Sequence, residues 1–294
     1  MKGEVTEMIL LTGATGTVGG ELAKQLADAG VRARALVRHR AKAKPLEEAG
    51  FEIVEGDLTK PETLDAALRG VECVFLLSSP GPQIVTAEGN LVEAAKRAGV
   101  SHVVKLSAIG ADANSSLMLG WWHGQVEKQI EESGLAFTHL RPNSFMQNFL
   151  GFAPTIKAHD AFYAPMKDGL SSVVDTRDIA AVAKAALTEA GHENQIYTIT
   201  GPEALSYAEI AEKLSSVLGR KISYVDVPPE AAKKGMMDAG MPEWFAEALN
   251  ELYAAWTEGH GAIVTNVVRG VAQREPLTFD EFARDYAPAF KDGE

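Results

Sequence analysis

The feature that most restricts this chain is a glycine-spaced loop, Leu11-Thr-Gly13-Ala-Thr-Gly16-Thr-Val-Gly19. It lies between a short apolar run, Met8 to Thr12, and a segment of helical character, Gly20 to Ala29. Phosphate oxygens need backbone N–H groups at close range, and a helix N-terminus presents them with a favourable dipole. Gly13 permits the tight turn, Gly16 lets the backbone approach a pyrophosphate, and Gly19 lets helix and strand pack closely. Thr15 and Thr17 add hydroxyls, and Val18 completes the loop. A glycine triplet alone is a weak signal. The strand–loop–helix setting is what separates a dinucleotide loop from an ordinary tight turn.

The rest of the first half repeats that alternation. Strands are expected at Arg32 to Val37, Glu52 to Glu55, Cys73 to Leu77, Val103 to Ser107 and Ala136 to Leu140. Helices are expected at Thr86 to Ala98 and Gly120 to Ser133. Short connections of this kind imply a parallel sheet covered on both faces, and right-handed crossovers make it a doubly wound α/β Rossmann fold. After Arg141-Pro142 the pattern loosens. A helix is expected from Thr176 to Glu189, capped by Asp175 or Thr176, and a strand from Ile196 to Thr200. Ser206 and Glu209 form a capping-box pattern for a helix to Leu218, stopped by Gly219. A strand at Ser223 to Val227 and a helix at Pro242 to Glu258 follow. This reads as a nucleotide-binding domain over residues 1–150 and a smaller α/β lobe over 151–294, some of whose elements return to the main sheet.

The region after the second strand selects the nucleotide. An NAD site places a carboxylate there for the ribose 2′-hydroxyl. Between Asp28 and Glu47 this chain has no acid, and instead carries Arg32, Arg34, Arg38, His39, Arg40, Lys42 and Lys44. Arg38 stands directly after Val37, where a guanidinium makes paired, charge-assisted bonds to a 2′-phosphate. Lys42 is a second candidate contact, while Arg32 and Arg34 are expected on a solvated side of the strand. The expected cofactor is therefore NADP. Asp57 and Leu58, after the third strand, suit the adenine; the lesser alternative for Asp57 is a cap or turn role beside Gly56. Ser78 and Ser79 follow the fourth strand on the ribose and pyrophosphate side, and Ser107 ends the fifth near the nicotinamide. All are carboxyl ends of parallel strands, where such sheets bind ligands.

Composition narrows the partners. A net charge of −12, with basic residues gathered only in Arg32 to Lys44, disfavours nucleic acid and other broad polyanions. No apolar run is long enough to span a bilayer. Met1 to Glu7 carries Glu4 and Glu7 and resembles neither a signal nor a transit peptide, so a cytoplasmic location is expected. The single cysteine, Cys73, reads as a small core residue. No metal-ligand spacing appears among it and the seven histidines.

The motifs together resemble the NmrA-like group of atypical short-chain dehydrogenase/reductases. The matching stretches are Thr12 to Gly19, Leu36-Val-Arg38, Gly56-Asp-Leu58, Lys105 to Gly110 and His123-Gly-Gln-Val-Glu127. Leu140 to Asn143, Phe145 to Asn148, Val174 to Asp178 and Tyr197 to Glu203 extend the likeness over nearly the whole chain. That group is similar to NAD(P)H:quinone oxidoreductases, flavin-independent azo-dye and triphenylmethane-dye reductases, and NADP-sensing regulators.

Ordinary short-chain dehydrogenases use a Tyr-x-x-x-Lys pair on the helix after the fifth strand. Tyr163-Ala-Pro-Met-Lys167 has the spacing but follows the sixth strand, and Pro165 argues against a helix. The helix in the right place carries His123 and Glu127 instead, four apart on one face. His123 is then either a proton donor oriented by Glu127 or a packing residue beside the cofactor. Asn143 is either a contact to the nicotinamide carboxamide or a turn residue after Pro142. Phe145, Phe162 and Tyr163, in an aromatic-rich stretch, are candidate walls of a pocket for a flat aromatic substrate. The helix Pro242 to Glu258 offers a roof for that pocket or the subunit contact of a homodimer. The expected activity is an NADPH-dependent reductase of quinones or azo compounds without flavin; the alternative is a non-enzymatic NADP(H) sensor.

Overall fold

The computed structural model describes residues 8–291, and the N-terminal reading, Met1 to Glu7, lies outside them. Contacts divide the chain into two units. The first runs to Pro142 and takes back Ile179–Thr198; the second holds Asn143–Asp178 and the chain from Ile199 onward. The sequence reading put the changeover near residue 150.

In chain order the first stretch contains β1 (Ile9–Leu11), α1 (Thr17–Asp28), β2 (Ala33–Val37), α2 (Lys44–Glu48), β3 (Glu52–Glu55) and α3 (Leu64–Ala67). It continues with β4 (Cys73–Leu76), α4 (Ile84–Ala98), β5 (His102–Leu106), α5 (Met118–Ser133) and β6 (Ala136–Pro142). Beyond it lie α6 (Ala153–His159), β7 (Ala161–Ala164), β8 (Leu170–Ser171), α7 (Thr176–Thr188) and β9 (Gln195–Ile199). The chain ends with β10 (Leu205–Ser206), α8 (Tyr207–Leu218), β11 (Ser223–Asp226), α9 (Pro229–Asp238), α10 (Glu243–Thr257), α11 (Val267–Val271), α12 (Phe279–Asp285) and α13 (Ala287–Phe290).

The main sheet has the order β3-β2-β1-β4-β5-β6-β9, and the ladders from β3 to β6 are parallel. Every residue of β1, β2, β4 and β5 is buried, because helices cover a parallel sheet on both faces. One face packs Leu10, Val74, Leu76 and Val103 against Leu91 and Val92 of α4 and Val126 and Ile130 of α5. Arg34 departs from expectation. It is buried, not solvated: its guanidinium donates to the carbonyls of Ala67 (2.6 Å) and Arg69 (2.9 Å) and pairs with Glu52. Ala67 ends α3, so the cation sits where helix carbonyls lack partners and its aliphatic stem fills core space.

The second unit has its own core, in which Phe149, Phe162, Tyr207, Trp256, Phe279 and Phe282 are buried together. β7 pairs with β11 in parallel and β8 with β10 antiparallel. The capping box at Ser206 and Glu209 forms as the sequence predicts, and Thr278 with Glu281 repeats it on α12. Asp175 accepts from the amide and guanidinium of Arg177, and buried Asp178 accepts from the Leu277 amide at 2.8 Å and from Arg274. Tyr163 lies on β7 and Lys167 in the turn after it, so the Tyr-x-x-x-Lys spacing there is no helical pair. Among the described residues no helix is long and apolar enough to cross a membrane.

Candidate functional site

The phosphate loop is built by close approach. Thr12 joins the ends of β1 and β4, its hydroxyl donating to the Leu77 carbonyl (2.7 Å) and accepting from the Leu77 amide (2.8 Å). Gly13 turns there with φ +66°, and a Cβ on it would stand 2.8 Å from Leu77 Cγ. A Cβ on Gly19 would lie 2.2 Å from the Gly13 carbonyl oxygen, so only glycine lets α1 begin this close to the strand. Gly16 caps α1, whose first turn holds no acid to oppose its dipole. Thr15, Gly16 and Thr17 are exposed, while the Val18 side chain is in the core and leaves only its amide for a ligand.

Arg38 follows β2 on the same edge of the sheet. It is exposed and makes no hydrogen bond or ion pair among the described residues. Its neighbour Arg40 is already committed, bonding Glu47 and the Ile53 carbonyl. Lys42 is exposed. Asp57, after β3, accepts through Oδ1 from the Thr59 amide (2.9 Å) and hydroxyl (2.8 Å), a turn arrangement. The Thr59 amide bond, then its hydroxyl, with Lys60 and Arg38 nearby, hold the carboxyl below the ordinary range. Oδ2 takes part in neither bond, so the turn and a ligand contact are compatible. Leu58 is half-buried, its carbonyl held by the Asn90 side chain at 2.9 Å.

At the ends of β4 and β5 the interior becomes polar. The Ser78 hydroxyl donates to Glu88 Oε1 at 2.8 Å, and Ser79 is exposed. Glu88 on α4 and Lys105 on β5 form an ion pair at 2.8 Å with both side chains fully buried. Ser107 is buried and its Oγ has no partner. His123 is half-buried as a residue, and its Nδ1 is buried and without a partner among the described residues. Gly124 beside it would place a Cβ 2.1 Å from the Asp112 carbonyl carbon, so α5 presses on that loop.

Burial, with the Lys105 charge adding to it, pushes the His123 pKa well below 6.5. The ring is therefore neutral at neutral pH. Glu127 does not orient it, as the sequence suggested: both carboxylate oxygens bind Arg141, from Nε at 3.0 Å and Nη2 at 2.5 Å. A buried carboxylate takes the bidentate partner within reach, and the guanidinium on β6 is that partner.

Within the second unit two expectations are corrected. Asn143 is 2% exposed, and its amide nitrogen donates to Ser172 Oγ and the Gly261 carbonyl, each at 2.9 Å. Both donor hydrogens are used, and Oδ1 accepts from Ser144, so the side chain is a clamp with no donor for a carboxamide. Phe162 has no exposed surface and meets Phe149 edge-on at 6.0 Å, making it core and not a pocket wall. Phe145 is half-buried and Tyr163 is 40% exposed. On α10, Trp256 is buried, and Leu252 and Tyr253 pack on the same core.

Residues 5–283 match the model of the NmrA-like family. An NAD(P)H azoreductase of Xenophilus azovorans is 46% identical over 283 residues, covering 96% of this chain and 99% of that one. The chain belongs to the NmrA-like family. A structure of an NADPH-dependent quinone oxidoreductase from Escherichia coli complexed with NADPH superimposes with a TM-score of 0.88 at 28% identity, covering 95% of this chain and 100% of that one. The Citrobacter sp. triphenylmethane reductase complexed with NADP(H) gives 0.86 at 28%, over 95% and 99% of the two chains.

In this NmrA-like chain the sequence reading missed Glu88 and Lys105. Both had a signal: Lys105 interrupts the apolar run of β5, and Glu88 shares the buried stripe of α4 with Ile84, Leu91 and Ala95. It also missed that Glu127, Glu131 and His139 converge, with one ligand-type atom from each within 4.8 Å of the others. Arg141 already binds Glu127 as an ion pair, and His139 Nε2 lies 3.2 Å from Glu131 as a neutral hydrogen-bonding partner. Burial holds the His139 pKa down at about 4.

Proposed function

We propose that this chain is an NADPH-dependent reductase that transfers hydride to a flat aromatic acceptor, a quinone or an azo compound, without a flavin. The observation that carries the reading is the free Arg38 guanidinium, exposed after β2 where an NAD-preferring chain has a carboxylate. The cradle fits a dinucleotide. Glycine is required at Gly13 and Gly19 by contacts a Cβ would violate, and α1 opens without an acid in its first turn.

In this reading the amides from Gly16 to Val18 hold the pyrophosphate, with Thr15 and Thr17 adding hydroxyl donors. Arg38 holds the 2′-phosphate, and Asp57 and Leu58 flank the adenine. Ser78 and Ser79 serve the ribose side. Ser107 Oγ and His123 Nδ1, buried and without partners, are the polar atoms left for the nicotinamide end and the acceptor. The reduced nicotinamide supplies the hydride when bound. The residues bind, orient and exclude water; a quinone or azo group accepts hydride readily, so positioning is the larger part of the task. Of the aromatic side chains expected to wall a substrate pocket, Phe145 and Tyr163 keep exposed surface and Phe162 does not. The quinone, azo-dye and triphenylmethane-dye relatives, and the 46% identity to the azoreductase, support this acceptor class.

The test follows NADPH absorbance in the near ultraviolet with a panel of quinones and azo dyes, NADH alongside. Rapid turnover selective for NADPH is expected. Tight binding of NADP without turnover of any acceptor would overturn the reductase reading and leave the sensor.

A further inference from the structure

The reading above leaves a fully buried ion pair unused. Lys105 on β5 and Glu88 on α4 meet at 2.8 Å with no side-chain exposure, and Lys105 Nζ also donates to the Leu106 carbonyl. Burying two charges is expensive, and a well-packed apolar pair of similar volume often serves stability as well. What this pair reaches is the carboxyl end of β4. Glu88 Oε1 accepts from the hydroxyl of half-buried Ser78 at 2.8 Å. The residue before it is held from β1, where Thr12 bonds both the amide and the carbonyl of Leu77. Ser78 is thus tied through its side chain and through the backbone that leads to it. A hydroxyl has one hydrogen and two lone pairs, and a carboxylate can only accept. The Ser78 hydrogen is therefore spent on Glu88, and only lone pairs are left for a ligand. Ser79 beside it is exposed and makes no hydrogen bond among the described residues, so its hydrogen is free.

We propose that Glu88, paired with Lys105, is a positioning residue of the NADPH site: it turns the Ser78 hydroxyl so that Ser78 accepts from a ribose hydroxyl of the cofactor and cannot donate to a phosphate. The inference rests on the cofactor part of the reductase reading and not on the acceptor. A ribose hydroxyl has a hydrogen to give, whereas a phosphate oxygen is an acceptor. Two acceptors facing one another repel, so the arrangement selects the sugar. Lys105 sets the polarity in turn. Its ammonium group has only donors, so it takes the carboxylate as its acceptor and leaves Glu88 no hydrogen to return to Ser78. Ser79 is the neighbour with a hydrogen for a phosphate oxygen. The two adjacent serines are therefore not interchangeable, and the difference comes from a helix and a strand that never touch the ligand themselves.

The experiment is a double-mutant cycle on binding. Dissociation constants for NADPH and NADH are read by fluorescence titration in the wild type, Ser78→Ala, Glu88→Gln and the double variant. Glu88→Gln reverses the hydrogen bond: the amide oxygen goes to Lys105, and the amide nitrogen faces Ser78 as a donor. Ser78→Ala and Glu88→Gln should each weaken both nucleotides about three- to tenfold. The double variant should lose no more than about twofold beyond Ser78→Ala, because Glu88 acts through that hydroxyl. A merely structural Glu88 would weaken binding again in the Ser78→Ala background, so losses that multiply would overturn the proposal. Full affinity in either single variant would overturn it, as would tighter binding in Glu88→Gln, the mark of a Ser78 that donates to phosphate. A loss confined to NADPH would place Ser78 at the 2′-phosphate and overturn it too. Should Glu88→Gln not fold, Glu88→Leu with Lys105→Met replaces the pair by apolar side chains, and the same coupling to Ser78→Ala is expected. NADPH binding without turnover of any acceptor would remove the reductase reading and leave this cycle intact.

Discussion

The strand ends of the first unit and the aromatic stretch of the second received the same kind of expectation and met different fates. At the strand ends, polar groups stand without partners among the described residues: the Arg38 guanidinium is unpaired, and Ser107 Oγ and His123 Nδ1 are buried alone. In the second unit two of the candidates are spent on the fold. Asn143 uses both amide hydrogens to tie Ser172 and Gly261, and Phe162 is wholly enclosed among aromatic rings. Native interiors satisfy nearly all their polar groups, so unpartnered ones at a sheet edge point to a ligand, while saturated ones point to architecture. Two arginines of one run repeat the lesson. Arg34 is consumed by the end of α3 and by Glu52, whereas Arg38, four residues on, is free.

The largest effect expected from this contrast is on stability in the second unit. Phe162→Ala should cost about 3–5 kcal/mol in denaturant unfolding, the range for removing a buried aromatic side chain. A loss below about 1 kcal/mol would mean that the ring is not core and would reopen its place as a pocket wall. Ser107→Ala should behave in the opposite way and more gently. Its hydroxyl bonds nothing internal, so unfolding should shift by no more than about 0.5 kcal/mol. NADPH affinity, read by fluorescence titration, should fall about three- to tenfold. Full affinity in that variant would take Ser107 out of the site.

Much of the fold was legible because its signals are local. The capping box at Ser206, the glycine loop and the apolar strands each state their structure within a few residues, and the first unit's strands and long helices fall within a few residues of expectation. The second unit's short helices, such as α6 and α13, were not anticipated, since four to seven residues carry too little periodicity to read. Partnership was the harder matter. The (i, i+4) spacing put His123 and Glu127 on one helix face, but only the three-dimensional fold brings Arg141 from β6 to take Glu127. Arg34 alternates with buried residues of β2, yet the carbonyls that accept it come from α3, more than thirty residues away. Lys105 was visible as a cation in an apolar strand, and its meaning depended on Glu88 arriving from α4.

The account turns on Arg38 as the group that reads the 2′-phosphate, and the direct test is the pair of dissociation constants for NADPH and NADH in the wild type and in Arg38→Ala. A charge-assisted, paired contact predicts that NADPH affinity falls by roughly 10- to 100-fold while NADH affinity stays within about twofold. An equal loss for both nucleotides, or no loss for either, would contradict it.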